Sequence, residues 1–126
     1  MTLVLVIDDN RQTTEALVQM LRLWNIQARP ILSPGTAMTV LRELTPAAIF
    51  LDINMPGVDG FEVLAFLKRE PRLTGVPVIV VTSDDQPETR KRALEAGALA
   101  LVLKPVMAEV LEEALQKAKL IQGPAS

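Results

Sequence analysis

The chain of 126 residues is 49% hydrophobic and 22% charged, which supplies a core for one compact domain and leaves no room for two. Its formal net charge of −2, from 13 Lys plus Arg against 15 Asp plus Glu, argues against a nucleic-acid or anionic-membrane partner held by bulk charge. The absence of cysteine and histidine removes disulfides, thiolate nucleophiles, histidine triads, haem ligation and the usual zinc sites. A metal must then be held by oxygen, which points to a hard cation such as magnesium, and acid–base chemistry falls to carboxylates and lysine.

In chain order, residues 3–7 are a short apolar run suited to a strand buried on both faces. The N-terminal segment lacks a basic leader, and no apolar stretch exceeds about six residues, against the roughly 20 a bilayer crossing needs, so a cytoplasmic protein without membrane insertion is expected. Ala16, Leu17, Met20, Leu21 and Trp24 recur at helical spacing. Residues 28–32 are a weaker run containing Pro30, which cannot donate to a ladder and so belongs at a sheet edge. Ser33 before Pro34 reads as an N-cap with proline at the first helical position, opening a helix through Leu44.

A strand follows at 48–51, then a helix capped by Asp59 and carrying Phe61, Val63, Leu64 and Leu67. The next strand is expected at 76–81. Asp84 or Asp85, ahead of Pro87 and Glu88, starts a fourth helix that ends at Gly97 in the left-handed C′ position. A fifth strand at 99–103 precedes a helix over 107–121 with Val110, Leu111, Ala114, Leu115 and Ala118 on one face. Five β-α units imply a parallel sheet with helices on both faces and right-handed crossovers. The domain is expected over 1–122, with 123–126 a disordered tail or linker stub.

The six aspartates, at 8, 9, 52, 59, 84 and 85, all fall after strands, at the carboxyl edge where open α/β sheets bind ligands. With strand order 2-1-3-4-5 the crevice lies between the first and third strands, and Asp8, Asp9 and Asp52 converge there. Three such carboxylates repel one another unless a cation joins them. Magnesium takes one or two carboxylates together with waters and a phosphate oxygen. Lys104, after the fifth strand, can meet an incoming anion as a point charge, and Thr82, at the end of the fourth, adds a hydroxyl. Acids, metal, hydroxyl and ammonium together read as phosphoryl transfer to a carboxylate. Singly, Asp9 reads as an N-cap, Lys104 as a surface lysine and Thr82 as a β-branched strand residue; those readings need four strand ends to agree by accident.

The segments Val6-Ile7-Asp8-Asp9-Asn10, Leu51-Asp52-Ile53-Asn54-Met55-Pro56-Gly57-Val58-Asp59-Gly60, Val80-Val81-Thr82-Ser83 and Leu103-Lys104-Pro105 resemble the receiver domain of bacterial two-component response regulators. The resemblance runs from about residue 3 to 120. It implies a flavodoxin-like (βα)5 doubly wound fold. It implies Asp52 as acceptor of a phosphoryl group from a histidine kinase or histidine phosphotransfer protein, in a phosphorelay; this chain has no histidine of its own to donate it. It also implies Mg2+ held by Asp9, Asp52 and the backbone carbonyl of Asn54, with Asp8 bound directly or through water.

By the same resemblance Thr82 is the switch hydroxyl, Lys104 the counter-ion, and a cis peptide joins Lys104 to Pro105. Self-dephosphorylation is implied, with Asn54 and Asp84 beside the site. The surface of the fourth helix, fifth strand and fifth helix is implied as the partner or homodimer face. Arg90, Lys91 and Arg92 either face such a partner or form a solvated helix face. The chain departs from the family at Leu101, three residues before the lysine, where Tyr or Phe is usual.

Three other readings meet obstacles. A dehalogenase-type aspartyl phosphatase wants a second Asp where Asn54 stands. A flavodoxin-like cofactor module wants a Ser/Thr/Gly-rich loop where Asp8-Asp9-Asn10 stands. A receiver-shaped interaction module that takes no phosphate wants a broken set of Asp8, Asp9, Asp52, Thr82 and Lys104.

Overall fold

A computed structural model describes residues 2–123. Strands and helices alternate as β1 (Thr2–Ile7), α1 (Arg11–Arg22), β2 (Ile26–Ile31), α2 (Pro34–Glu43), β3 (Ala48–Asp52), α3 (Gly60–Arg69), β4 (Val78–Thr82), α4 (Pro87–Glu95), β5 (Ala100–Leu103) and α5 (Ala108–Lys117). All pairings are parallel, in the order β2-β1-β3-β4-β5. This is the flavodoxin-like (βα)5 arrangement that the alternation of apolar runs and helical segments predicts.

Strand periodicity divides the core into two layers. Leu5, Ile7, Ile49, Leu51, Val78, Val80 and Leu101 pack on one face with Ala37 and Leu41 of α2, Leu64 and Leu67 of α3, and Ala93 of α4. Val4, Val6, Phe50, Ile79, Val81 and Val102 pack on the other with Leu17 and Leu21 of α1 and Leu111 and Leu115 of α5. Every residue of β3 and β4 is buried, which is why these strands are apolar on both sides. Each fully buried Leu, Ile or Phe contributes on the order of 2 kcal/mol.

Local signals place the helix ends. Asn10 Oδ1 accepts the Thr13 N–H at 3.1 Å, Ser33 Oγ accepts the Thr36 N–H at 3.2 Å, and Asp59 Oδ1 accepts the Phe61 N–H at 2.9 Å. Gly97 adopts φ +107° past the end of α4, a conformation that favours glycine. Pro30 lies on the edge strand, opposite Val6.

Several boundaries differ from the expectation. β2 begins two residues earlier, at Ile26, because outward-facing Gln27 and Arg29 on the edge strand hide its apolar pattern. Val76 and Pro77 precede β4. α1 ends at Arg22, so Trp24 lies in the following turn, half-buried against the α1/α5 layer. α5 stops at Lys117, with Lys119 at φ +60°, and Val110 faces solvent while Leu111, Ala114 and Leu115 are buried. α4 is capped by neither Asp84 nor Asp85; its N-cap is Gln86, which makes no side-chain cap bond. Residues 124–126 of the expected tail lie outside the described residues. Among the described residues no helix is long and apolar enough to cross a membrane.

Candidate functional site

The site forms where β1, β3, β4 and β5 end. The parallel ladders continue one residue beyond two strands: the Asp8 N–H donates to Ile31 O at 3.0 Å and the Lys104 N–H to Thr82 O at 2.8 Å. Asp8 and Lys104 are therefore fixed in backbone position as firmly as strand residues. Asp52 is the last residue of β3 and Thr82 the last of β4. Four strand ends, set by register rather than by loops, deliver four polar side chains to one edge.

Asp8, Asp9 and Asp52 each bring a carboxylate oxygen within 4.8 Å of the others. Asp8 and Asp52 are buried, at 2% and 4% exposure, while Asp9 is exposed. Lys104 Nζ donates to Asp8 Oδ2 at 2.9 Å and lies 3.5 Å from Asp52 Oδ2. The remaining carboxylate oxygens are held by local turns: Asp8 Oδ1 accepts the Asn10 N–H and Asp52 Oδ1 the Asn54 N–H, both at 2.9 Å. Burial pushes the Asp52 carboxyl above its ordinary value and the neighbouring Asp8 charge adds to this, while the Asn54 N–H and the Lys104 ammonium pull the other way.

Three carboxylates and one ammonium leave a net charge of −2 at this spot. A divalent cation neutralises it, and an all-oxygen donor set with room for waters suits a hard ion. The residues present thus fit such a cation.

Thr82 is fully buried, and its hydroxyl accepts the Asn54 Nδ2 amide at 2.6 Å and the Asp84 N–H at 3.1 Å. The Lys104–Pro105 peptide is cis. Leu101 is buried, packed inward with the α2/α3/α4 layer. The other aspartates are engaged elsewhere or exposed: Asp59 caps α3, Asp84 binds the Gln86 N–H and the Thr89 hydroxyl, and Asp85 faces solvent. The basic run Arg90–Arg92 lies in the middle of α4. Its Lys91 pairs with Glu95 at 3.9 Å and its Arg92 stacks 3.9 Å over the Phe61 ring. The Asn54–Thr82 bond was not foreseen from the sequence; it joins residues 28 positions apart, and only the common placement of two strand ends foretells it.

A doubly wound parallel sheet whose carboxyl edge gathers three aspartates, a lysine and a buried threonine defines a receiver of the two-component type. The comparisons agree: the chain belongs to the response regulator receiver domain family, which matches residues 4–116. It is 30% identical over 111 residues to protein PilH of Pseudomonas aeruginosa, covering 88% of this chain and 92% of that one. It is 31% identical over 103 residues to protein RcaC of Microchaete diplosiphon, covering 82% of this chain but only 16% of the much longer relative. The signal receiver domain of a signal transduction histidine kinase from Syntrophus aciditrophicus superimposes with a TM-score of 0.83 at 27% identity, covering 100% of this chain and 96% of that one. The clustered Asp8, Asp9 and Asp52 are the acidic arrangement of a phospho-accepting aspartate site.

Proposed function

We propose that Asp52 accepts a phosphoryl group from a phosphohistidine on a partner kinase or histidine phosphotransfer protein, and that the phosphorylated chain signals through a changed surface. The observation that carries this is the placing of a buried carboxylate against both an ammonium, 3.5 Å away, and two further carboxylates. A carboxylate oxygen of Asp52 forms the new O–P bond as the donor N–P bond breaks, and the bonding pair leaves with the donor imidazole. Lys104 offsets the negative charge arriving with the phosphoryl oxygens. Magnesium, held by Asp9, Asp52 and the Asn54 carbonyl with Asp8 directly or through water, supplies further charge compensation when bound.

Thr82 is the switch hydroxyl in this reading, since its proton is the donor still free to turn toward a phosphoryl oxygen. Leu101, already inward, contributes little to the change. An apolar groove of about 280 Å³ beside Lys104, lined by Ala16, Met20, Pro105 and Val106 among others, gives a donor protein a surface next to the acceptor. Across β5 and α5, Val110 shares the lining of a second groove with Arg90, Glu113 and Lys117. This mixed-charge patch suits a two-fold contact between copies through α4, β5 and α5, which sedimentation with and without phosphorylation tests.

Intact-mass spectrometry after incubation with acetyl phosphate decides the assignment. One phosphoryl adduct is expected with magnesium, little with EDTA, and none in Asp52→Asn. An adduct in that variant at the wild-type rate removes Asp52 as the acceptor.

A further inference from the structure

The hydrogen bonds of the site do not stop at Thr82. From Asp52 Oδ1 a continuous path runs through the Asn54 N–H (2.9 Å), from the Asn54 side-chain amide to Thr82 Oγ1 (2.6 Å), from that oxygen to the Asp84 N–H (3.1 Å), and from Asp84 Oδ2 to the Thr89 hydroxyl (2.6 Å). It begins at the candidate acceptor and ends in the first turn of α4.

Two features make this path more than a local arrangement. The first is the state of Thr82. A hydroxyl has two acceptor positions and one proton. Asn54 and the Asp84 N–H fill both acceptor positions, and among the described residues no hydrogen bond joins Thr82 to Asp52. The hydroxyl is held short of the acceptor with its own proton uncommitted. In the switch reading Oγ1 moves toward a group on Asp52, and that move works against the Asn54 bond.

The second feature is how lightly α4 is attached. α1, α2 and α3 each have a side-chain N-cap, from Asn10, Ser33 and Asp59, whereas α4 (Gln86) and α5 (Met107) have none, and of these two α4 buries fewer side chains. Ala93 is the only buried residue of α4. The helix is also held by packing against β5, by the Arg92–Phe61 stack and by the bond from Thr89 to Asp84. The carboxylate of Asp84 takes the Gln86 N–H and the Thr89 hydroxyl at the start of α4, and the backbone of Asp84 is itself pinned to Thr82.

We propose that Asn54 is a positioning residue: its side-chain amide holds Thr82 in the resting arrangement, and that hold is passed to the first turn of α4 through Asp84 and Thr89. The consequence for signalling rests on the reading of Asp52 as acceptor, but the hold belongs to the resting protein. A group on Asp52 shifts the switch only by the difference in its interaction with the two arrangements. The Asn54–Thr82 bond is part of that difference, on the resting side, and so Asn54 sets how strongly the site must pull before α4 is released.

The test is residue-resolved amide exchange on the full chain without metal or phosphoryl donor, so its result does not depend on whether Asp52 is phosphorylated. The reporters are the Asp84 N–H, which donates to Thr82 Oγ1, and the Thr89 and Arg90 N–H groups, which donate to Gln86 O. In Asn54→Ala, exchange at these three amides is expected to rise roughly 3- to 10-fold, the range one net hydrogen bond gives, while Leu51 and Val80 in the core stay at the wild-type rate. In Thr82→Val, which removes the hydroxyl, the same amides speed up, and adding Asn54→Ala changes them no further. Unchanged reporters in Asn54→Ala, or an equal Asn54 effect in the Thr82→Val background, overturn the proposal.

A second readout separates positioning from mere support. Beryllofluoride with magnesium, a phosphoryl mimic, is expected to bind Asn54→Ala tighter than wild type by the same factor, because no hold has to be broken. Weaker binding overturns the hold as a brake. If the mimic binds neither protein, the acceptor reading fails, and the exchange data still decide the hold.

Discussion

Replacing Lys104 by methionine keeps the apolar stem and deletes one charge. In the metal-free protein it leaves Asp8 and Asp52, whose side chains are 3% and 5% exposed, without their shared cation. Removing one partner of a buried ion pair costs about 3–5 kcal/mol, and because the Lys104 side chain is 22% exposed, the lower end, about 3 kcal/mol, applies. Magnesium reverses the sign of the argument. The ammonium that stabilises the metal-free site repels an arriving dication. Even with water-like screening a unit charge pair at 4 Å is worth about 1 kcal/mol, and a dication doubles it. Magnesium should therefore bind Lys104→Met about tenfold or more tighter than wild type, a gain of at least about 1.4 kcal/mol. With both proteins near saturation, the stability deficit should shrink from about 3 to below about 2 kcal/mol. Urea unfolding in EDTA and in excess magnesium gives the two deficits, and calorimetry gives the affinities. Asp9→Ala is the control of opposite sign, since losing an exposed carboxylate weakens magnesium binding with little effect on the fold. An equal deficit with and without magnesium, or weaker magnesium binding by Lys104→Met, refutes the charge balance assigned to the site.

Three further outcomes follow from the geometry. Because burial and the Asp8 charge raise the Asp52 carboxyl above its ordinary 3.8, the folded chain binds that proton more tightly than the unfolded chain, and stability falls as pH rises through the folded value. Asp52→Asn should thus stabilise the metal-free protein at pH 7 and lose that advantage below about pH 3.8, measured by urea midpoints across the range; destabilisation at pH 7 contradicts the direction. A Cβ at Gly60 would lie 2.3 Å from Ile53 Cα, so Gly60→Ala should cost about 2 kcal/mol or more through forced separation of α3 from the loop after β3, and an unchanged melting temperature refutes that close approach. With beryllofluoride, amide-exchange changes should concentrate in residues 82–90 and be weak in 99–103, since Leu101 is already packed inward at 5% exposure; changes of equal size around Leu101 show that β5 switches without an aromatic ring.

What could be read from the amino-acid sequence follows from where the physics is local or topological. β3 and β4 are buried on both faces, so their apolar runs are continuous and their positions were legible to within a residue or two. Ser33, Asp59 and Gly97 act through bonds or dihedral angles within their own turn, so each declared its helix end. Asp8, Asp52, Thr82 and Lys104 were legible together because register and strand order carry strand ends to one edge whatever the intervening helices contain. The failures lie where a residue's role is set by something distant. β2 pairs on one side only and shows solvent half its side chains, which hides Ile26 as its start. Val110 has helical spacing with Leu111 and Ala114 but falls at the rim of α5, and spacing alone does not give the width of a buried stripe. Asp84 was expected to cap α4 and instead reaches around Gln86 to Thr89. That difference matters most, because a true N-cap would fasten α4 to its own backbone. A bond from Thr89 to a residue whose backbone is tied to Thr82 fastens α4 to the site. α4 buries one residue, Ala93, where α1, α2, α3 and α5 each bury three, so on the proposal above it is the helix expected to answer first to a change at Asp52.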